Sequence, residues 1–237
     1  LCGVAQVYSS LYYSVFLALL LAVVGVGLVL VHRPPVRRLA VGGVIVVLIA
    51  APLAWPVAHA FSAAQPMKGD RSIEEVGFYS AEPLDYLRTH RFTGVWNGVL
   101  PPPLPERALF PGAVPLALAA IAFVPPVTPA AVVYAAGLAV VFEASLGTNG
   151  FLFPHLRDWV SPVRGLRAPA RLGVVVGLCL AILAGFGMAR LQAWCPSPRV
   201  VRVAAVIVIG LVVGEAMPRL TLHPVWLEPP DIYRALG

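Results

Sequence analysis

Apolar residues run along this chain in long unbroken stretches, without the polar positions that half-buried helices or strands show. Leu11–Val31 carries no charge and is rich in Leu and Val. Leu39–Ala58 repeats the pattern, with Pro52 and Pro56 placed to kink its far end. Ala108–Phe142 is uncharged and too long for one helix. Pro125, Pro126 and Pro129 divide it, so a tight helical hairpin over 110–124 and 130–146 is predicted. Segments 172–189 and 200–217 complete the set. About 20 apolar residues cross the hydrocarbon core, and backbone in lipid must satisfy its own hydrogen bonds, so each segment is expected to be helical. None has the polar face that a water-soluble helix presents. The pattern predicts an all-α, multi-pass transmembrane bundle of about six spans.

Composition sharpens this. Hydrophobic residues make up 59% of the 237 and charged ones 12%, about half the charged share of soluble domains. A soluble chain of this length has too much surface to hide that much apolar side chain. The net charge of +6 raises the question of nucleic acid. All basic residues but Lys68 are Arg, however, and they flank apolar segments without aromatic–basic alternation, which excludes that partner. Cys2, Cys179 and Cys195 have no metal-ligand spacing, so no metal site or disulfide framework is indicated. The chain opens on Leu without a basic leader, and 220–237 reads as the start of a truncated outer tail; an internal piece of a longer protein is expected.

Charge placement sets the topology. Connector 32–38 holds Arg33, Arg37 and Arg38, and connector 190–202 holds Arg190, Arg199 and Arg202, with no acid in either. The positive-inside rule makes both cytoplasmic and puts loops 61–107 and 147–170 outside. In the first outer loop Ser80 is the expected N-cap of a short helix with Glu82 and Pro83 in its first turn. Trp96-Asn97-Gly98 is expected to turn. The second begins with a short aromatic-rich interfacial helix and leads through Arg164, Arg167 and Arg171 into the fifth span.

Those three arginines are the candidate lipid-phosphate site. Pro169 fits a first helical position, and guanidinium forks near free helix N–H groups suit an anion. The alternative is arginines snorkelling to headgroups, or pairing with Asp158 and Glu143. Glu143 and Glu215 lie within apolar stretches, where a charge is costly. Glu143, just before the arginine-rich loop, is the candidate lining an outward-facing cavity.

The run Ser161-Pro162-Val163-Arg164-Gly165-Leu166-Arg167-Ala168-Pro169-Ala170-Arg171, with Leu172-Gly173 and a small-residue helix after it, resembles a signature of bacterial YfhO-like membrane proteins. These are similar to the GT-C class of polytopic glycosyltransferases. Tyr79-Ser80-Ala81 with Asp85-Tyr86-Leu87, and Glu106-Arg107 with Leu109-Phe110-Pro111-Gly112, carry the same likeness, which spans most of the chain in the order of such a protein's later half. The resemblance implies sugar transfer from a polyprenyl-phosphate donor to a glycan, lipid or protein acceptor at the outer face of the bacterial plasma membrane. In that class an acid in the first outer loop serves as base or metal ligand. This piece begins after that loop, so the resemblance assigns no catalytic residue here and leaves a divalent metal to the missing N-terminal part. Two other readings stay open. A flippase for lipid-linked glycans should show repeated spans and broken helices, and no internal repeat is visible. In a non-catalytic scaffold the arginines would serve headgroups alone.

Overall fold

The computed structural model describes residues 2–68, 71–195 and 197–219. The expected tail over 220–237 lies outside them. Among the described residues ten α-helices follow in chain order: α1 (Cys2–Ser9), α2 (Leu11–His32), α3 (Val36–Lys68), α4 (Ile73–Phe78), α5 (Ala113–Ile121), α6 (Pro129–Ser145), α7 (Leu152–Trp159), α8 (Ser161–Arg164), α9 (Gly173–Trp194) and α10 (Pro198–Ala216). Short 3-10 turns occupy Pro83–Leu87, Gly147–Asn149 and Pro169–Leu172. The described residues form no strand, only isolated bridges. The chain is all-helical.

Local chemistry sets the helix ends. Arg33 takes the left-handed conformation (φ 44°) after α2 and donates its N–H to the Val29 carbonyl, and Pro34-Pro35 bars continuation. The Thr128 side chain accepts from Ala131 N–H at the start of α6, with Pro129 in the first turn. Ser72 caps α4 the same way, accepting from Glu75 N–H at 3.1 Å.

Helices α2, α5, α6 and α9 make the packed bundle, and α3 and α10 flank it. Gly27 lies against Val133, while Gly137 lies against Leu20 and Val24, so α2 and α6 run antiparallel. Gly173 meets Leu109, and Gly187 meets Leu118 and Ala122, so α5 descends alongside α9 in the same direction. Small residues at the crossings let backbones approach, as van der Waals packing between helices in lipid requires. The buried core continues through Phe16, Val141, Leu172, Cys179 and Leu183.

Helix direction alternates, so the Arg33–Arg38 and Arg190–Arg202 connectors share one end and the two long loops share the other. We call these the connector end and the loop end. Among the described residues, three helices are long and apolar enough to cross a membrane: Tyr12–His32, Val36–Phe61 and Pro169–Trp194. The expectation of about six spans is not met on length and composition. Helix α5 has nine residues and reaches about 14 Å. Helix α6 has 17 residues, and α10 carries Arg199, Arg202 and Glu215 within its 19. The hairpin turn falls in the expected place, yet its first limb stops early and leaves an exposed apolar tip at Phe123, Val124 and Val127. Two further boundaries move. Helix α3 continues through Pro52 and Pro56 to Lys68, so the first long loop starts later than 61. Helix α9 runs on to Trp194 and shortens the connector before α10.

The α5–α9 contact yields a direct test. A Cβ built on Gly187 would stand 1.8 Å from the Leu118 carbonyl oxygen, whereas one on Gly185 meets nothing within 4 Å. Gly187→Ala is expected to destabilise the bundle by about 1–3 kcal/mol through overpacking. Gly185→Ala should be neutral or slightly stabilising, because alanine favours the helix. Thermal unfolding of both variants in detergent checks the contrast.

Candidate functional site at the loop end

The first long loop is organised around Asp85, a fully buried carboxylate. Residues Pro83–Leu87 form a tight turn whose N-cap is Glu82, not the expected Ser80. The Asp85 carboxylate accepts from the Glu82 N–H at 2.7 Å, Arg88 Nε at 2.9 Å and Arg107 Nε at 2.5 Å, and Arg107 also reaches Glu82 at 2.7 Å. A buried acid left unpaired would be costly, and these partners satisfy it. The backbone adds Leu109 N–H to the Asp85 carbonyl and Phe110 N–H to that of Arg88, so 82–88 and 107–110 are fixed together. Ser80 is engaged elsewhere. Its hydroxyl donates to the Val76 carbonyl and accepts from Thr148 N–H, tying this loop to the second. Tyr86 hydrogen-bonds Ser145 at the end of α6, and burial pushes its phenol up to about 12.

The Asp85 hub sets the position of Glu106, next to Arg107. Glu106 takes the left-handed conformation (φ 60°), strained for a residue with a Cβ. Its carboxylate is gripped by Arg171, with Nε and Nη2 donating at 2.7 and 2.8 Å, and by Arg167 at 3.4 Å. The Arg171 guanidinium beside Glu106 holds its carboxyl below the usual range. Arg167 also stacks over the Tyr79 ring at 4.7 Å and approaches Glu75 at 3.9 Å, and Arg171 lies over Tyr12 at 5.3 Å.

The three sequence-predicted arginines therefore divide. Arg167 and Arg171 come together on Glu106 and Glu75 rather than on Asp158 or Glu143. Arg164 is exposed and donates to the backbone carbonyls of Arg157 and Asp158. The helix N–H groups expected to help hold an anion are already engaged. Arg167 N–H donates to the Tyr12 hydroxyl, Ala170 N–H to the Tyr79 carbonyl, and Arg171 N–H to the Ala168 carbonyl. Arg171 also lies in the 3-10 turn that precedes α9.

Glu143, the predicted cavity-lining acid, instead accepts from Phe151 N–H at 2.5 Å and Leu152 N–H at 2.9 Å. It caps the start of α7, the expected interfacial helix, whose last residue Trp159 and preceding Phe151 are strongly exposed. Glu215 does the same for α5. It accepts from Ala113 N–H, Val114 N–H at 3.0 Å and the Trp96 indole at 2.7 Å.

Between the loops and the top of α9 opens a cleft of about 970 Å³. Tyr13, His90, Arg91, Glu106 and Arg171 supply polar groups, and Leu104, Leu109 and Val174 an apolar wall. A second cavity of about 230 Å³ adjoins it through His90 and Ala108 and is lined by Trp96, Thr89, Thr93 and Glu215. Arg91 stacks on Phe92 at 4.9 Å, and no carboxylate claims it among the described residues. Sequence reasoning missed His90, Arg91 and Trp96 as site residues. A signal was present, because Arg88-Thr89-His90-Arg91 is a basic run within the loop assigned to the outer face. No group of three His, Cys, Asp or Glu able to hold a metal comes together among the described residues.

The capping role of Glu143 gives a clear expectation. Glu143→Leu removes the acceptor of both N–H groups and should cost about 0.5–2 kcal/mol, as loss of a helix cap does, whereas Glu143→Gln keeps one acceptor and loses less. Thermal unfolding and limited proteolysis across 150–160 check this ordering; equal stability of the two variants would refute the cap. No family model, curated protein or solved structure matches the chain.

Proposed function

We propose that this chain is the membrane part of a glycosyltransferase-like protein of the bacterial plasma membrane, using a polyprenyl-phosphate-linked sugar at the outer face. The observation that carries the reading is the loop-end cleft, whose cations and apolar wall suit an amphiphile bearing a phosphate. His90, Arg91 and Arg171 would hold the anion, with the ligand phosphate taking the place of the Glu106 carboxylate on the Arg171 fork. The prenyl chain would leave past Leu104, Leu109 and Val174, and the sugar would enter the neighbouring cavity beside the Trp96 ring. Arg167 contributes through Glu106, and Arg164 stands outside this cleft. The unbroken courses of α2, α3 and α9 favour a transferase over a flippase, which commonly uses helices broken at mid-membrane.

Orientation is tested first. With Cys2, Cys179 and Cys195 replaced, a single cysteine at Leu104 should react with an impermeant maleimide in intact cells, and one at Pro35 should not. Labelling at Pro35 overturns the outer-face assignment.

The chemistry is tested with Arg171→Lys against Arg171→Ala, and with Arg91→Ala. Lysine keeps the charge and loses the fork, so Arg171→Lys should cut turnover of a polyprenyl-phosphate sugar about tenfold or more, with normal insertion. Arg91→Ala should weaken donor binding. Full activity in Arg171→Lys and Arg91→Ala removes this cleft from the reaction.

A further inference from the structure

A second set of arginines lies at the loop end, and none of them lines the cleft. Arg157 Nη2 donates to the Arg71 carbonyl at 2.5 Å, Arg71 N–H to the Arg164 carbonyl at 3.4 Å, and Arg164 Nε to the Arg157 carbonyl at 3.1 Å. The three residues hold one another in a closed ring of bonds through their backbones. The Glu75 carboxylate stands 3.7 Å from Arg71, while Asp158 joins the corner through its backbone carbonyl. Like charges gathered this way repel, and an anion relieves them.

Directly beside this corner is a groove of about 270 Å³ with an entirely apolar lining. Its walls are Val15, Phe16 and Leu19 of α2 and Leu156, Val160 and Val163 of the α7–α8 corner. Leu156 precedes Arg157 and Val163 precedes Arg164, so apolar wall and basic rim share one stretch of backbone. Ala18, which is exposed, lines the groove, and exposed Leu21 and Ala22 continue the same face along α2.

We infer that this corner binds one anionic phospholipid, with its phosphate on Arg71, Arg157 and Arg164 and an acyl chain in the groove and along α2. Charge complementarity selects the headgroup, and continuity with the lipid-facing stripe of α2 selects the chain. The inference rests on the membrane reading of the apolar helices and not on sugar transfer. It gives Arg164 a lipid phosphate at a place separate from Arg171.

The test is native mass spectrometry of the full chain in mild detergent with phosphatidylglycerol or phosphatidylcholine added. Wild type should retain one phosphatidylglycerol in clear preference to phosphatidylcholine. Arg164→Gln should lower retention about fivefold, the worth of one basic residue against an anionic lipid. Ala18→Trp, which fills the groove mouth from an exposed position, should lower it as well, whereas Val26→Trp should retain more lipid than Ala18→Trp. Equal retention of the two lipids, or wild-type retention in both Arg164→Gln and Ala18→Trp, overturns the site. Displacement of the lipid by millimolar inorganic phosphate, with Ala18→Trp behaving as wild type, shows a bare anion site and equally overturns it. The maleimide and turnover measurements can fail or succeed independently of this result.

Discussion

A helix that begins away from bulk water has N–H groups with nowhere to go, and the loop end of this protein is arranged around that constraint. Glu215 supplies acceptors to the first N–H groups of α5, and Glu143 does so for α7. In each case the carboxylate comes from another helix near its own end, so one contact both caps a helix and fixes a crossing. An acid in an apolar stretch usually invites a functional reading. Here the charge faces helix N-termini, where the dipole favours it. The cost of carrying it into the bundle is offset by two N–H groups that would otherwise be orphaned.

Above these caps, charge adds to the apolar burial of Val76, Phe153, Val163 and Leu166 in holding the loops. Asp85 gathers Arg88 and Arg107, which places Glu106 in reach of Arg167 and Arg171, and Glu75 extends the chain of ion pairs to Arg71. The pairs differ in worth. Asp85 is fully buried, so losing a partner would leave an uncompensated charge. The Glu106–Arg171 pair is partly exposed and open to exchange with another anion. Rigidity below and exchangeability above suit a site that must keep its shape while its charges change partners.

Much of this fold could be read from residue order. Unbroken apolar runs locate the long helices, Pro125–Pro129 locates the hairpin turn, and acid-free arginine connectors share one end. The extent of α5 could not be read, because its start is fixed by Glu215, which lies 102 residues beyond Ala113. The Glu82 cap escaped for a similar reason. Ser80 is the better intrinsic capping residue, but its hydroxyl is spent on Val76 and Thr148. The arginines before α9 were legible as a cluster, yet their division depends on Glu106, 65 residues upstream of Arg171. Local sequence carries propensity and charge, and long-range pairing decides which of the possible partners is met.

Helix α3 differs from all of this. Over Val36–Phe61 none of its residues is buried, and large apolar side chains from Val41 to Ile49 face outward all round it. It packs against α1, where the Tyr8 hydroxyl donates to the Leu53 carbonyl at 2.8 Å, and the short arginine connector joins it to α2. With no knob to fit a hole, the helix is specified by solubility in hydrocarbon and by length. Val, Ile and Leu are close to synonyms along 41–49, so this stretch is free to drift in identity while its composition stays fixed. Gly187, pressed against a carbonyl on α5, has no synonym at all.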